Sequence, residues 1–212
     1  MSANRNRITL TVVILVAFMA LLVGLFFSQH LTARKTVDVE KFHGAYLQKP
    51  RAVAEFELVG VDKKPFNNAK LKGQWTMMFF GFTNCGYLCP TTMAELGKFY
   101  RSLEEKKVRH LPNVVMVSID PDRDSLEKLK IYVKAFDKHF SGARGDMTKV
   151  DAMTKEFGVV HMKVAGKEGD KNYDIQHSGA VMLFNPQGQL RAFFSAPHNA
   201  KALVEDYMQL TS

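Results

Sequence analysis

Two cysteines, the only ones in 212 residues, are separated by three residues in Gly81-Phe82-Thr83-Asn84-Cys85-Gly86-Tyr87-Leu88-Cys89-Pro90. Before them runs Thr76-Met77-Met78-Phe79-Phe80, a short continuous apolar segment of the kind buried on both faces of a sheet. After them Met93, Leu96, Phe99, Tyr100 and Leu103 fall at helical spacing. The thiols are therefore placed in a strand-to-helix turn. Pro90 suits a first helical position, and Thr92 with Glu95 offers a capping box two residues later. Either start brings free backbone N–H groups and the positive end of the helix dipole near the sulfurs, which favours thiolate over thiol. A thiolate pair is a soft-metal site, a redox pair, or both. Two cysteines are too few for a disulfide framework, and a bridge between them would close too small a loop to restrain much of the unfolded chain.

The rest of the chain supplies the elements such a turn needs. Phe56, Leu58 and Val61 predict a short strand, and Val61-Asp62-Lys63-Lys64-Pro65 a hairpin turn. Val114 to Ile119 predicts a second buried strand; with the intervening helix it makes a right-handed crossover between parallel strands. In Asp120-Pro121-Asp122-Arg123-Asp124 the alternate acids invite a calcium loop, but Ser125 stands where the glycine is required and Ile131 where the glutamate is. This is read as a turn with Asp124 as N-cap, opening a helix with Leu126, Leu129, Tyr132, Val133 and Phe136 on one face. Ser141 to Gly145 is read as the end of that unit, and Thr148 to Phe157 as a short helix. Val159 to Val164 reads as strand or extended chain and Gly166 to Asn172 as a polar tip. Ser178 to Phe184 reads as a buried strand, with a hairpin back through Gln189 to Ser195 and a closing helix from Asn199 to Leu210. The order is that of an α/β, thioredoxin-like fold with an extra N-terminal strand pair.

Ile8 to Phe27 contains no charge over twenty positions, enough as a helix to span a hydrocarbon core of about 30 Å. A cleaved signal peptide would have a shorter apolar region and a better cleavage site than Ser28 to Ala33. An uncleaved transmembrane helix is therefore expected at 8–27, after a cytoplasmic segment at 1–7. A polar stalk is expected at 28–50 and the folded domain at 51–212. No cysteine follows directly on the apolar run, which excludes a lipoprotein. The domain is expected on the periplasmic side of a bacterial inner membrane, or in the equivalent mitochondrial intermembrane space. The formal net charge of +8 is spread over lysines interleaved with acids, without a basic stripe carrying aromatics. That argues against nucleic-acid binding.

Of seven histidines, His30, His43, His110, His139, His161 and His198 have ordinary structural or solvated readings. His177 differs by position. It immediately precedes the Ser178 strand, and in a thioredoxin-like topology that junction faces the cysteine turn. Two sulfurs and one imidazole would then converge from separate segments. Soft thiolates suit Cu(I), and an imidazole lets the site also hold Cu(II). No proline precedes the Ser178 strand and the spacing is Cys-x-x-x-Cys, both of which weaken general disulfide exchange without removing it.

Gly81 to Leu96 resembles the signature of the Sco/SenC copper proteins. Val117-Ser118-Ile119-Asp120-Pro121-Asp122-Arg123-Asp124 is similar to that family's second motif. Ile175-Gln176-His177-Ser178, followed by Asn185-Pro186-Gln187-Gly188, resembles its third. The similarity runs from about Phe56 to the C-terminus. It implies a membrane-tethered metallochaperone, rather than an enzyme, that binds one copper ion, Cu(I) or Cu(II), through Cys85, Cys89 and His177. The implied partners are cytochrome c oxidase subunit II, whose dinuclear copper centre it helps assemble by copper delivery or thiol reduction, and other copper chaperones. Two alternatives remain open. One is a metal-independent thiol-disulfide oxidoreductase using Cys85 and Cys89 as a redox pair; the other is a thiol peroxidase with Cys85 as attacking thiolate. The chain departs from the family pattern in having Gly86-Tyr87 where Pro-Asp is usual, and Gln176 where an aspartate usually precedes the histidine. A carboxylate orienting the imidazole is thereby put in doubt.

Overall fold

The computed structural model describes residues 2–31, 37–164 and 173–211, with side chains of the first helix described only from Leu10 to Leu25. It divides into two units, residues 1–36 and 37–212. The first contains one helix, α1 (Ser2–Leu31). Backbone helix covers the whole expected span of 8–27, and the described apolar side chains from Leu10 to Leu25 are exposed. Among the described residues no helix is long and apolar enough to cross a membrane.

In the second unit the elements run β1 (Ala45–Arg51), β2 (Glu57–Gly60), β3 (Pro65–Asn67), α2 (Asn68–Leu71), β4 (Thr76–Gly81) and α3 (Leu88–Glu105). They continue with β5 (Asn113–Ser118), α4 (Leu126–Phe136), β6 (Ser141–Arg144), α5 (Met147–Phe157), β7 (His161–Val164) and β8 (Asp174–His177). The chain closes with β9 (Val181–Phe184), β10 (Leu190–Phe194) and α6 (Ala200–Thr211). One sheet has the order β1-β10-β9-β4-β5-β6-β2-β3, and β7 and β8 pair with each other as a separate ribbon.

The apolar run before the cysteines is the middle of that sheet. β4 is buried at every position. It pairs in parallel with β5, Phe79 opposite Met116, and antiparallel with β9, Phe79 opposite Val181. Period-two alternation sends its side chains to both faces. Beyond the sheet, α3 and α6 pack together, with Phe99 and Tyr207 edge to face at 5.6 Å. Phe157 of α5 closes on Phe80 and Phe184. The parallel crossover, the C-terminal hairpin and the closing helix make the fold thioredoxin-like, and the extra strand pair β2–β3 extends the sheet beyond β6.

Two stretches differ from the sequence reading. Ala45–Arg51, inside the expected stalk, is an edge strand antiparallel to β10, so the folded unit starts at Val37 rather than at residue 51. Arg191 of β10 holds it there: its guanidinium bonds the carbonyls of Leu47 and Gln48 and lies over the Tyr46 ring at 4.4 Å. Pro50 is tolerated because an edge strand leaves one side without a ladder partner. Ser141–Arg144, expected as a terminator, is a strand between β5 and β2. The rest of the expected stalk at 32–36, and the expected polar tip at 166–172, lie outside the described residues.

Candidate metal centre

The loop between β4 and α3 carries both sulfurs. The helix begins at Leu88, earlier than Pro90 or Thr92, with Tyr87 at the cap position and no side-chain cap. Thr92 is buried, and Glu95 is not part of a capping box: its carboxylate accepts from Lys98 Nζ at 2.6 Å and from the Ala200 amide at 2.8 Å. The uncapped first turn instead meets sulfur. The Cys89 amide donates to Cys85 Sγ at 3.3 Å, which is the charge-favouring contact expected of a thiolate at a helix N-terminus. Cys89 is the second residue of the helix and is fully buried, while Cys85 is partly exposed; both are free thiols.

Asp124 anchors this loop. It is fully buried and accepts from the Thr83 amide at 3.1 Å, the Thr83 hydroxyl at 2.5 Å and the Ser118 hydroxyl at 2.7 Å. It is not the N-cap of α4. That role falls to Ser125, whose side chain accepts from the Lys128 amide. Ser and Asp are equally good caps, so the sequence alone does not separate two adjacent candidates; burial does.

The third donor comes from the β7–β8 ribbon. His177 ends β8 opposite His161, and its Nε2 lies 3.3 Å from Cys89 Sγ. Its ring rests on Phe79 and Phe82 at centroid separations of 5.8 and 6.0 Å. One donor atom from each of Cys85, Cys89 and His177 lies within 4.8 Å of the other two. Thiolate and imidazole bonds to a first-row ion run at about 2.3 and 2.0 Å, so donors this close can share one ion. The opposite ring nitrogen, Nδ1, is buried without a hydrogen-bond partner among the described residues. Asp174, the nearest acid back along the strand, accepts from the Ile175 amide instead. Among the described residues no carboxylate therefore orients the imidazole, as Gln176 in place of an acid leads one to expect; packing against two phenylalanines does so.

The chain leaves His177 through a tight link. Gly179 has φ +65°, and a Cβ there would stand 2.9 Å from a Leu88 methyl. Its carbonyl accepts from His198 Nε2 at 2.8 Å; a carbonyl can only accept, so this nitrogen carries the proton. Burial pushes the His198 imidazole below its ordinary pKa. Gly179→Ala is expected to lower stability by about 1–2 kcal/mol through the left-handed backbone and the Leu88 contact. Urea unfolding checks it, and an unchanged midpoint would refute the strain.

Electrostatics separate the two thiols. Cys85 is held down to about 4 from an ordinary 9.0, chiefly by the hydrogen bond from the Cys89 thiol. Burial opposes that effect, and the imidazole of His177 and the backbone N–H of Cys89 add to it. Cys89 moves up, because it keeps the proton it gives to Cys85 and because it is buried. The pair thus holds one negative charge, on the sulfur that faces solvent. Among the described residues these three side chains are the cluster able to hold a metal ion. His43, expected as a solvated stalk residue, instead pairs with buried Asp206; His139 pairs with Asp137, His161 with Asp151 and His198 with Gly179. The side chain of His30 lies outside the described residues.

The SCO1/SenC family profile matches residues 44–212. A SCO2-like protein of Rickettsia prowazekii is 30% identical over 205 residues, covering 97% of each chain. Among solved structures, Arabidopsis thaliana ScoI with copper bound is 26% identical at a TM-score of 0.69, over 74% of this chain and 96% of that one. Apo Sco1 of Thermus thermophilus is 30% identical at a TM-score of 0.69, over 80% and 96%. On the profile match over residues 44–212 and the 30% identical relative covered along 97% of its length, the chain belongs to the SCO1/SenC family.

Proposed function

We propose that this chain is a membrane-tethered copper carrier that takes one ion on Cys85, Cys89 and His177 and serves assembly of the dinuclear copper centre in cytochrome c oxidase subunit II. The observation that carries this is the meeting of the three donors within 4.8 Å from segments 88 residues apart. Two soft sulfurs hold Cu(I), and the imidazole extends the site to Cu(II). Three protein donors leave a position open to a client ligand. Cys85, partly exposed and already charged, receives the ion, and buried Cys89 gives up its proton as the ion enters. In this reading the uncharged run Ile8 to Phe27 is the anchor and 1–7 lies in the cytoplasm. The domain faces the periplasm, or the mitochondrial intermembrane space, where subunit II and copper chaperones can reach it.

Titration of the full chain with Cu(I) and Cu(II) tests the site. One ion per chain is expected in each state, and His177→Ala should weaken Cu(II) about a hundredfold while leaving Cu(I) nearly intact. Unchanged Cu(II) binding in that variant would remove His177 from the site.

The free dithiol with one depressed pKa favours a second reading, thiol-disulfide exchange without metal. There Cys85 attacks a client disulfide, Cys89 then displaces the client thiol, and the carrier ends oxidised as the client ends reduced. It predicts full client assembly with a His177→Ala chain, which the copper reading does not.

A further inference from the structure

The ribbon that presents His177 is hydrogen-bonded to itself and not to the main sheet. Its described attachments at the base lead to α5, where His161 Nε2 meets Thr154 and Asp151. At the end where β8 begins, the attachment is to the loop after β5. Asp120, fully buried, takes the Arg123 Nε and accepts the Tyr173 hydroxyl at 2.5 Å. Arg123 in turn donates from a terminal nitrogen to the Tyr173 carbonyl at 2.7 Å and lies with its guanidinium carbon 3.7 Å from the centre of the Tyr173 ring. Lys163, from the facing strand, lies over the same ring at 4.7 Å and pairs with Asp122 at 3.1 Å.

Arg123 also reaches the other half of the site. Its guanidinium lies 5.7 Å from the centre of the Phe82 ring, and Phe82 is one of the two rings against which His177 rests. Next along the chain from Arg123, Asp124 ties down the cysteine loop through Thr83. Adjacent residues of one turn thus hold the histidine ribbon and the sulfur loop.

We propose that Arg123 is a positioning residue for the metal centre: by clamping Tyr173 to Asp120 and backing Phe82, it fixes the distance between the His177 imidazole and the two sulfurs. This rests on the reading of Cys85, Cys89 and His177 as copper ligands and adds a residue that touches none of them. The planar fork suits the task because it bonds a carboxylate and a carbonyl while its face stacks on a ring. Among the described residues His177 has no acid on its Nδ1, so its placement depends on the two phenylalanines it packs against and on what holds its strand. The effect should fall on Cu(II), for which the imidazole matters, and spare Cu(I), for which two sulfurs suffice.

The test uses the full chain in detergent, with Cu(I) and Cu(II) affinities measured against competing chelators and the Cu(II) spectrum read by electron paramagnetic resonance. Arg123→Gln should weaken Cu(II) about tenfold and alter the spectrum, with Cu(I) changed by no more than about twofold. Tyr173→Phe, which keeps the ring and loses one hydrogen bond, should shift both Cu(II) readouts the same way by about threefold. In a His177→Ala background, Arg123→Gln should add nothing. Wild-type Cu(II) affinity and spectrum in Arg123→Gln, beside a weakened His177→Ala, would overturn the positioning role and leave the ligand set standing. An equal loss of Cu(I) and Cu(II), or a loss that persists without His177, would also overturn it, as a general structural role. If His177→Ala itself binds Cu(II) normally, the ligand reading fails first and the positioning role falls with it. Should circular dichroism show that Arg123→Gln does not fold, Tyr173→Phe decides, and unchanged Cu(II) behaviour there overturns the proposal.

Discussion

In the metal-free, reduced chain, alkylation of Cys85 by iodoacetamide should be half-maximal near pH 4, not near pH 9 where an unperturbed thiol would titrate. The thiolate is the nucleophile, so the rate rises as pH climbs through the folded-state pKa and is flat from about pH 5 upward, the proton being gone within about one unit of it. The plateau should also lie below that of an ordinary thiolate, since nucleophilicity falls with basicity. Cys89 should stay unmodified at neutral pH, because it is buried and holds its proton. The cause can be tested separately. The hydrogen bond from Cys89 leads the lowering of Cys85, so Cys89→Ala should move the midpoint several units upward. It should stop short of the free value, because His177 and the residue-89 amide still face the sulfur. Mass-resolved alkylation across a pH series reads both results. A wild-type midpoint in the ordinary thiol range would show that the two sulfurs do not share a proton.

Local pattern reached most of the elements that build this site. The strand at Thr76–Gly81 and its parallel partner at Asn113–Ser118 are apolar runs with only one way to be buried, on both faces. The helix after the cysteines carries its buried face at the spacing seen in sequence. His177 is legible through topology and through the resemblance of Ile175-Gln176-His177-Ser178 to a family motif, not through local periodicity, because it meets the sulfurs only when β8 is placed beside the cysteine turn. β6 was illegible for a local reason. Ser141-Gly142-Ala143-Arg144 reads as punctuation, yet the small residues are what the strand needs, since a Cβ on Gly142 would stand 2.7 Å from Leu129 of α4. β1 was illegible for a long-range reason. Its partner lies more than 140 residues away, and the Arg191 contacts with Leu47 and Gln48 leave no periodic trace in Ala45–Arg51. The proposed anchor rests on the length and lack of charge of Ile8 to Phe27.

Asp124→Ala should cost about 3–5 kcal/mol, the range for removing one partner from a buried, charge-assisted network. The side chain is fully buried, and three donors converge on it: the Thr83 amide, the Thr83 hydroxyl and the Ser118 hydroxyl. Alanine leaves all three facing a cavity. The hydroxyls can rotate, and Ser118 already accepts from the Asp120 amide, but the Thr83 amide cannot move without the loop that leads to Cys85. Since a domain of this kind holds about 5–15 kcal/mol in total, urea unfolding should show a large drop in midpoint. Asp124→Asn keeps the shape and one acceptor oxygen but turns an amide donor toward groups that donate, so its loss should be intermediate. The alkylation profile then distinguishes a global from a local effect. If Asp124 only supports the fold, folded Asp124→Asn keeps the Cys85 midpoint near pH 4. If it holds the sulfur loop in register with α3, the Cys89 amide and thiol drift from Cys85 and the midpoint rises. A rise is expected, because the bonds from Thr83 are the tie between this carboxylate and the cysteine turn, and a loss of stability below about 1 kcal/mol in Asp124→Ala would contradict the network itself.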